Sequence, residues 1–313
     1  MHRMLTPLLA TSLLSTGAMG ASFDLDTVSP EAAAIVHVDL GALRDSALGP
    51  LLEAAAAEAG ADISEAIGDD VDLFELLDTL TVYVVADSFD DVDENNIVVL
   101  VQGDNDLVDL LDTLRDEVDD VDTERSGGYT FEQWSMDDED ETVFMHTDRG
   151  RRGTSITVTF NEDLMVHALE ILDDEEDSYS DAHGDAFDDA DDAMVFVIAD
   201  TDAAPELDGP GSMALEFARS VSAMITDEGD ALGVALSIET GSVDDAERLS
   251  KMVEGLLAMT EFAMAAEDEL DEEAMMFIEL AKSASVDVKG NRFNVSIELD
   301  EDVLEELLEH ADY

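Results

Sequence analysis

The chain of 313 residues contains no cysteine. That absence excludes disulfide bonds, thiol catalysis, thiolate metal sites and a lipidated cysteine anchor together. Lysine is almost missing as well, present only at Lys251, Lys282 and Lys289. Basic residues number 13 against 80 acidic ones, for a formal net charge of −67. A polyanion repels a polyphosphate, which argues against nucleic acid as a partner. Apolar runs long enough to cross a bilayer are absent too, so no transmembrane span is expected. Catalytic signatures are equally sparse: GxSxG, GxxxxGK[ST], GxGxxG and HExxH do not occur. The six histidines are scattered without ligand spacing, and carboxylates are so abundant that no single pair of them singles out acid/base chemistry.

The acidity itself carries information. Acids cover helix faces and loops alike, and in dilute buffer such a chain repels itself. At about 1 M salt the Debye length falls to roughly 3 Å, and most of that repulsion is screened. This is the pattern of proteins adapted to high salt. A hydrophobic content of 46% argues against disorder, whatever the charge. The start of the chain reads as a secretory signal peptide: His2 and Arg3, an apolar run over residues 5–14, then small residues ending in Ala18-Met19-Gly20. Cleavage near Gly20 would export the rest, to the periplasm or beyond.

One structural unit recurs behind that leader. Ala284, Val286 and Val288 alternate with polar residues, as do Phe293, Val295, Ile297 and Leu299. Gly290-Asn291 supplies a two-residue loop that pairs Val288 with Phe293, Val286 with Val295 and Ala284 with Ile297 on one face. Asp300 then caps an amphipathic helix carrying Leu304, Leu307, Leu308 and Ala311. Similar strand-to-helix steps begin near Val36, Ile97, Ile156 and Leu232, with candidate caps at Asp104, Asn161 and Ser242.

These units predict an α+β fold of two related halves, each a mixed or mostly antiparallel sheet with helices packed on one face. Residues 21–172 form the first half and 193–313 the second, joined by an acidic linker or loop over 173–192. In the first half, residues 80–86 and 96–101 read as central strands. In the second half, residues 193–199 and 232–238 read as strands and 212–226 as a helix. A long helical region over 243–281 is expected to split near Asp268 and Asp271. Its methionines read as core filling. His37 is expected to face outward from its strand.

Two groups of residues are candidates for a site. Asp181, His183, Asp185 and Asp188 in the acidic stretch are metal candidates, with calcium the ion considered, although their spacing is not that of an EF-hand loop. Arg149, Arg151 and Arg152 form the one basic cluster, a candidate contact for an anion or a protein partner.

The segment Pro30-Glu31-Ala32 … Val36-His37-Val38-Asp39-Leu40-Gly41-Ala42-Leu43-Arg44 resembles the opening of uncharacterised exported bacterial proteins. In those, Val-x-Val-Asp-Leu-x-x-Leu-Arg follows a signal peptide and recurring strand–helix units follow it. The resemblance implies an exported α+β protein and carries no activity and no functional residues. The function that follows is a non-catalytic, exported binding or envelope-associated protein without a required cofactor. A calcium-binding protein and an exported hydrolase are the alternatives.

Overall fold

The computed structural model describes residues 24–49, 76–118, 120–135, 142–150, 153–183, 190, 193–203, 217–229, 231–264, 280, 283–300 and 303. The expected leader, the helix break near Asp268 and the C-terminal helix after Asp300 lie outside the described residues.

The described chain is mostly β with some helices. Twelve strands form one sheet: β1 (Ala32–Asp39), β2 (Leu77–Val85), β3 (Ile97–Gly103), β4 (Asp120–Ser126), β5 (Tyr129–Ser135), β6 (Thr142–Arg149), β7 (Thr154–Thr159), β8 (Ala193–Asp200), β9 (Ala218–Asp227), β10 (Ala231–Thr240), β11 (Ser285–Lys289) and β12 (Arg292–Asp300). Their order in the sheet is β11-β12-β10-β9-β8-β1-β2-β3-β7-β6-β5-β4. All the pairings are antiparallel. Five helices are described: α1 (Leu40–Asp45), α2 (Asp106–Glu117), α3 (Glu162–Leu172), α4 (Tyr179–His183) and α5 (Val243–Met264).

The register carries one apolar row through ten strands. Val286, Val295, Leu236, Ala223, Val197, Val36, Val82, Val99, Val158 and Met145 are successive cross-strand partners. A slip of one residue in any strand would break that row, which is why the pairing is specific. Helices α2 and α5 cover the two flanks of this face, α2 through Leu107, Leu110 and Leu111 and α5 through Ala246 and Leu249. Helix α1 closes one end of it with Leu43. Between them the row stays open, with Val36 40% and Leu236 39% exposed. The opposite face holds Ile35, Tyr83, Val98, Phe196 and Ile198, which pack with Ala168 of α3 and Tyr179 of α4.

Helices therefore pack on both faces, where the sequence led to an expectation of one. The reason shows in β5, whose alternation is apolar on both sides. Phe131 packs under Met165 and Leu169 of α3, whereas Trp134 packs under α2. Trp134 Nε1 donates to Glu132 Oε2 at 2.9 Å, and Glu132 accepts from Arg115 of α2 at 2.6 and 3.2 Å. A second correction concerns residues 212–226. From residue 218 onward this segment is strand β9, with Val221, Ala223 and Ile225 alternating against Ser220, Ser222 and Met224. The period of 2 and the β-branched residues, together with two flanking strands, override the helical reading. His37 is a third correction: it is 2% exposed, on the covered face, with Nδ1 2.8 Å from Thr81 Oγ1.

Local signals hold elsewhere. The β11–β12 hairpin has the register read from the sequence, with Val286 opposite Val295 and Val288 opposite Phe293. Gly290 has φ +62, the positive value that the first position of a type II′ turn needs. Asn161 caps α3 by accepting from Asp163 N and Leu164 N, and Ser242 Oγ accepts from Asp245 N at 3.3 Å at the start of α5.

Two predictions test this packing. Gly127 and Gly290 share nearly the same φ, 60 and 62. A Cβ at Gly127 would collide with Val166 Cγ1 of α3, while one at Gly290 meets nothing within 4 Å. Gly290→Ala should therefore cost about 1 kcal/mol and Gly127→Ala about 2 kcal/mol more, as read by urea unfolding in molar KCl.

Burial lowers the His37 pKa from 6.5 to about 4. Between those values the unfolded chain binds a proton that the folded chain does not, so stability falls as pH falls from 6.5 to 4. Relative to a His37→Gln variant, the wild type should lose on the order of 3 kcal/mol across that window. A flat difference between the two proteins would refute it.

Candidate functional site

A cleft opens at one end of the sheet centre, where β2, β8 and β10 end and β1 and β9 begin. Its volume is about 850 Å³. Its walls bring together Glu31 before β1, Asp87 and Asp91 after β2, Asp200 and Asp202 at the end of β8, and Glu239 of β10. Arg219 of β9 and the pair Tyr179 and His183 of α4 complete the polar lining. None of these segments is adjacent to the others in sequence. The antiparallel order brings them to one end because alternate strands start and finish there.

Each wall is held by backbone contacts. Phe89 N donates to Ala203 O at 2.9 Å, tying the loop after β2 to the loop after β8. Thr201 N donates to Arg219 O at 2.9 Å and Thr201 Oγ1 to Ala218 O at 2.6 Å, which fixes the start of β9. Glu239 is engaged from outside the cleft, by Arg292 Nη2 at 3.4 Å and by Asn291 Nδ2 at 3.3 Å. The turn of the β11–β12 hairpin thus positions a carboxylate of the site.

Tyr179 is 5% exposed and packs into the core beneath the cleft lining. Burial raises its hydroxyl pKa, the negative charges of Asp200 and Glu239 raise it further, and Arg292 partly offsets them. The phenol therefore stays neutral at any physiological pH. The His183 ring stacks on it at 4.0 Å with a 17° interplanar angle. His183 Nδ1 lies 3.0 Å from the Tyr179 carbonyl, an acceptor only, so Nδ1 carries a hydrogen and donates it there.

The residues expected from the sequence are dispersed. Asp181 and His183 share α4 but serve different ends. Asp181 Oδ2 accepts from Ser178 N at 3.0 Å and Ser178 Oγ at 2.9 Å, while Asp181 N donates to Ser178 Oγ at 3.2 Å. That reciprocal pattern is a capping box, and its hydrogen bonds hold the Asp181 pKa below the usual carboxylate range. His183 instead lines the cleft. Asp185 and Asp188 lie outside the described residues. Arg149 is exposed at the end of β6, and Arg151 and Arg152 lie outside the described residues. Among the described residues, no group of three or more His, Asp and Glu side chains is arranged to hold a metal ion. Nor is a described helix long and apolar enough to cross a membrane.

Among the described residues one Ser–His side-chain contact occurs. Ser29 Oγ and His167 Nε2 lie 3.2 Å apart, but Ser29 is fully buried and its Oγ also accepts from Glu31 N. A nucleophile that no substrate reaches is a packing element. Sequence reading missed the cleft, and Arg219 in particular, because it placed Arg219 on a helix. The alternation of Val221, Ala223 and Ile225 was the signal for a strand.

No protein-family model matches the chain, and no curated protein does. Among solved structures, crystal form III of TP0453 superposes with a TM-score of 0.44 at 10% identity, covering 93% of this chain and 99% of that one. Crystal form IV gives 0.45 at 12% identity with the same coverage. Crystal form I gives 0.42 at 12% identity, covering 93% and 98%. A likeness of this size says nothing about ligand or activity.

Proposed function

We propose that the protein is an exported, non-catalytic binding protein, adapted to high salt, whose acidic cleft receives a cationic ligand. The observation that carries this reading is the cleft itself: six carboxylates from separate segments around a cavity of about 850 Å³. That size is within the range of small-molecule sites, which span roughly 300–1,000 Å³. The charge of the lining selects cations, and the spread of the acids favours an organic cation over a compact metal ion. The buried Ser29–His167 contact gives no support to the hydrolase alternative.

The sheet also supports the reading of two related halves. The orders β1-β2-β3-β7-β6 and β8-β9-β10-β12-β11 repeat the same succession of strands on either side of the β1–β8 seam. β1 (AAAIVHVD) and β8 (AMVFVIAD) have nearly the same burial pattern and pair with Val36 opposite Val197, the fifth residue of each. Helices α2 and α5 follow the third strand of each half onto the same face. The two ends of the seam differ, however. At one, α1 packs Leu43 against Met194 and Leu232; the other opens as the cleft.

Two measurements test the function. Thermal melts in rising KCl, repeated with millimolar CaCl2 at matched ionic strength, should show stabilisation by molar salt and no added effect of calcium. A calcium-specific rise would instead reinstate the acidic stretch as a metal site. Calorimetric titration with cadaverine, a simple organic dication, should show saturable binding that Asp200→Asn combined with Asp202→Asn weakens about tenfold. The same affinity in that variant would remove the cleft from the function.

A further inference from the structure

Arg219 is the feature of the cleft that its acidity does not explain. The chain has 13 basic residues among 80 acids, so a carboxylate is rarely far from any of them. Arg44, Arg115, Arg248, Lys251 and Arg292 each form an ion pair. Among the described residues, Arg125, Arg149, Arg219 and Lys289 form none, and of these only Arg219 lines the cleft. It remains unpaired although six carboxylates share the same cavity. The start of β9 holds its backbone through Thr201, and the residue, itself exposed, lines the cleft. A guanidinium offers a planar fork of donors that matches a carboxylate in bidentate fashion.

We infer that the ligand is a basic zwitterion, a free basic amino acid of the lysine type, whose carboxylate is held by Arg219 and whose ammonium groups face the acidic wall. This deepens, and rests on, the reading of the cleft as a cation-binding site. The balance of charge supports it. Glu31, Asp87, Asp91, Asp200 and Asp202 form no ion pair among the described residues, whereas Glu239 is already engaged by Arg292, so the pocket favours excess positive charge on the ligand and offers one place for a negative group. A ligand with two amines and one carboxylate satisfies both.

Calorimetry on the exported chain in molar KCl tests this with L-lysine and cadaverine, which differ by the carboxylate. Cadaverine has the greater net positive charge, so electrostatics alone ranks it first. The wild type should bind L-lysine about tenfold more tightly than cadaverine. Arg219→Gln should bring L-lysine down to the cadaverine level or below it, without weakening cadaverine. Arg219→Lys, which keeps the charge and loses the fork, should retain part of the preference. A melt in the same buffer confirms that both variants are folded. Equal binding of the two probes by the wild type, or a preference that survives Arg219→Gln, overturns the zwitterion inference and leaves the cation site standing. If neither probe binds the wild type, both readings fall.

Discussion

The pairing of β1 with β8 is the constraint on which the rest of the sheet depends. These strands start 161 residues apart in sequence, and their five registered pairs join everything from β2 to β4 to everything from β9 to β11. Closing so long a loop is entropically costly, so the seam must be strongly favoured by side-chain packing. It is: Ile35, Phe196 and Ile198 are fully or almost fully buried beside Tyr83 and Val98 on one face. The same seam generates the cleft, because the end of β8 and the start of β1 meet there with no strand between them. Structural continuity and the candidate site are thus two results of a single pairing.

The charge acts on a different level. It does not choose the fold, since the core of this sheet is as apolar as any other. A formal charge of −67 on one chain makes self-repulsion strong in dilute buffer, and salt shortens the range of that repulsion. Ion pairs contribute little to that balance: three of the six among the described residues lie along single helices, such as the exposed pair of Lys251 with Glu247. The Arg115–Glu132–Trp134 network is the better-built case, since it clamps α2 onto β5 through a bidentate contact and an indole donor. The cleft is a local exception in a molecule where acids are otherwise spread outward. There carboxylates from separate segments converge on one cavity.

Local features of the sequence were legible wherever a short-range rule decides. The β11–β12 register followed from Gly290-Asn291 and from alternation, because one turn and one apolar face leave a single consistent pairing. The Asn161 and Ser242 caps followed from side chains that reach their own backbone. Residues 218–226 failed because a helix and a strand of small residues such as Ala and Ser look alike until neighbouring strands are known. His37 failed for a related reason: alternation marks two faces, but only the helices α3 and α4 decide that its face is covered. Of the candidate metal residues, His183 reached the cleft while Asp181 turned to cap α4, a division that spacing along the chain does not reveal.

From the residues alone came the strand-and-helix units, the hairpin register, the acidic composition and the absence of thiol chemistry. All of these depend on composition or on neighbours a few positions apart. The tertiary structure alone decided that the strands form one sheet and that helices cover both of its faces. It also decided that Glu31, Asp91, Asp200, Arg219 and Glu239 share one cavity. The physical reason is distance along the chain. Strand order is determined by contacts between segments tens to hundreds of residues apart, whose free energy depends on the packing of the whole sheet and is written in no single stretch of it.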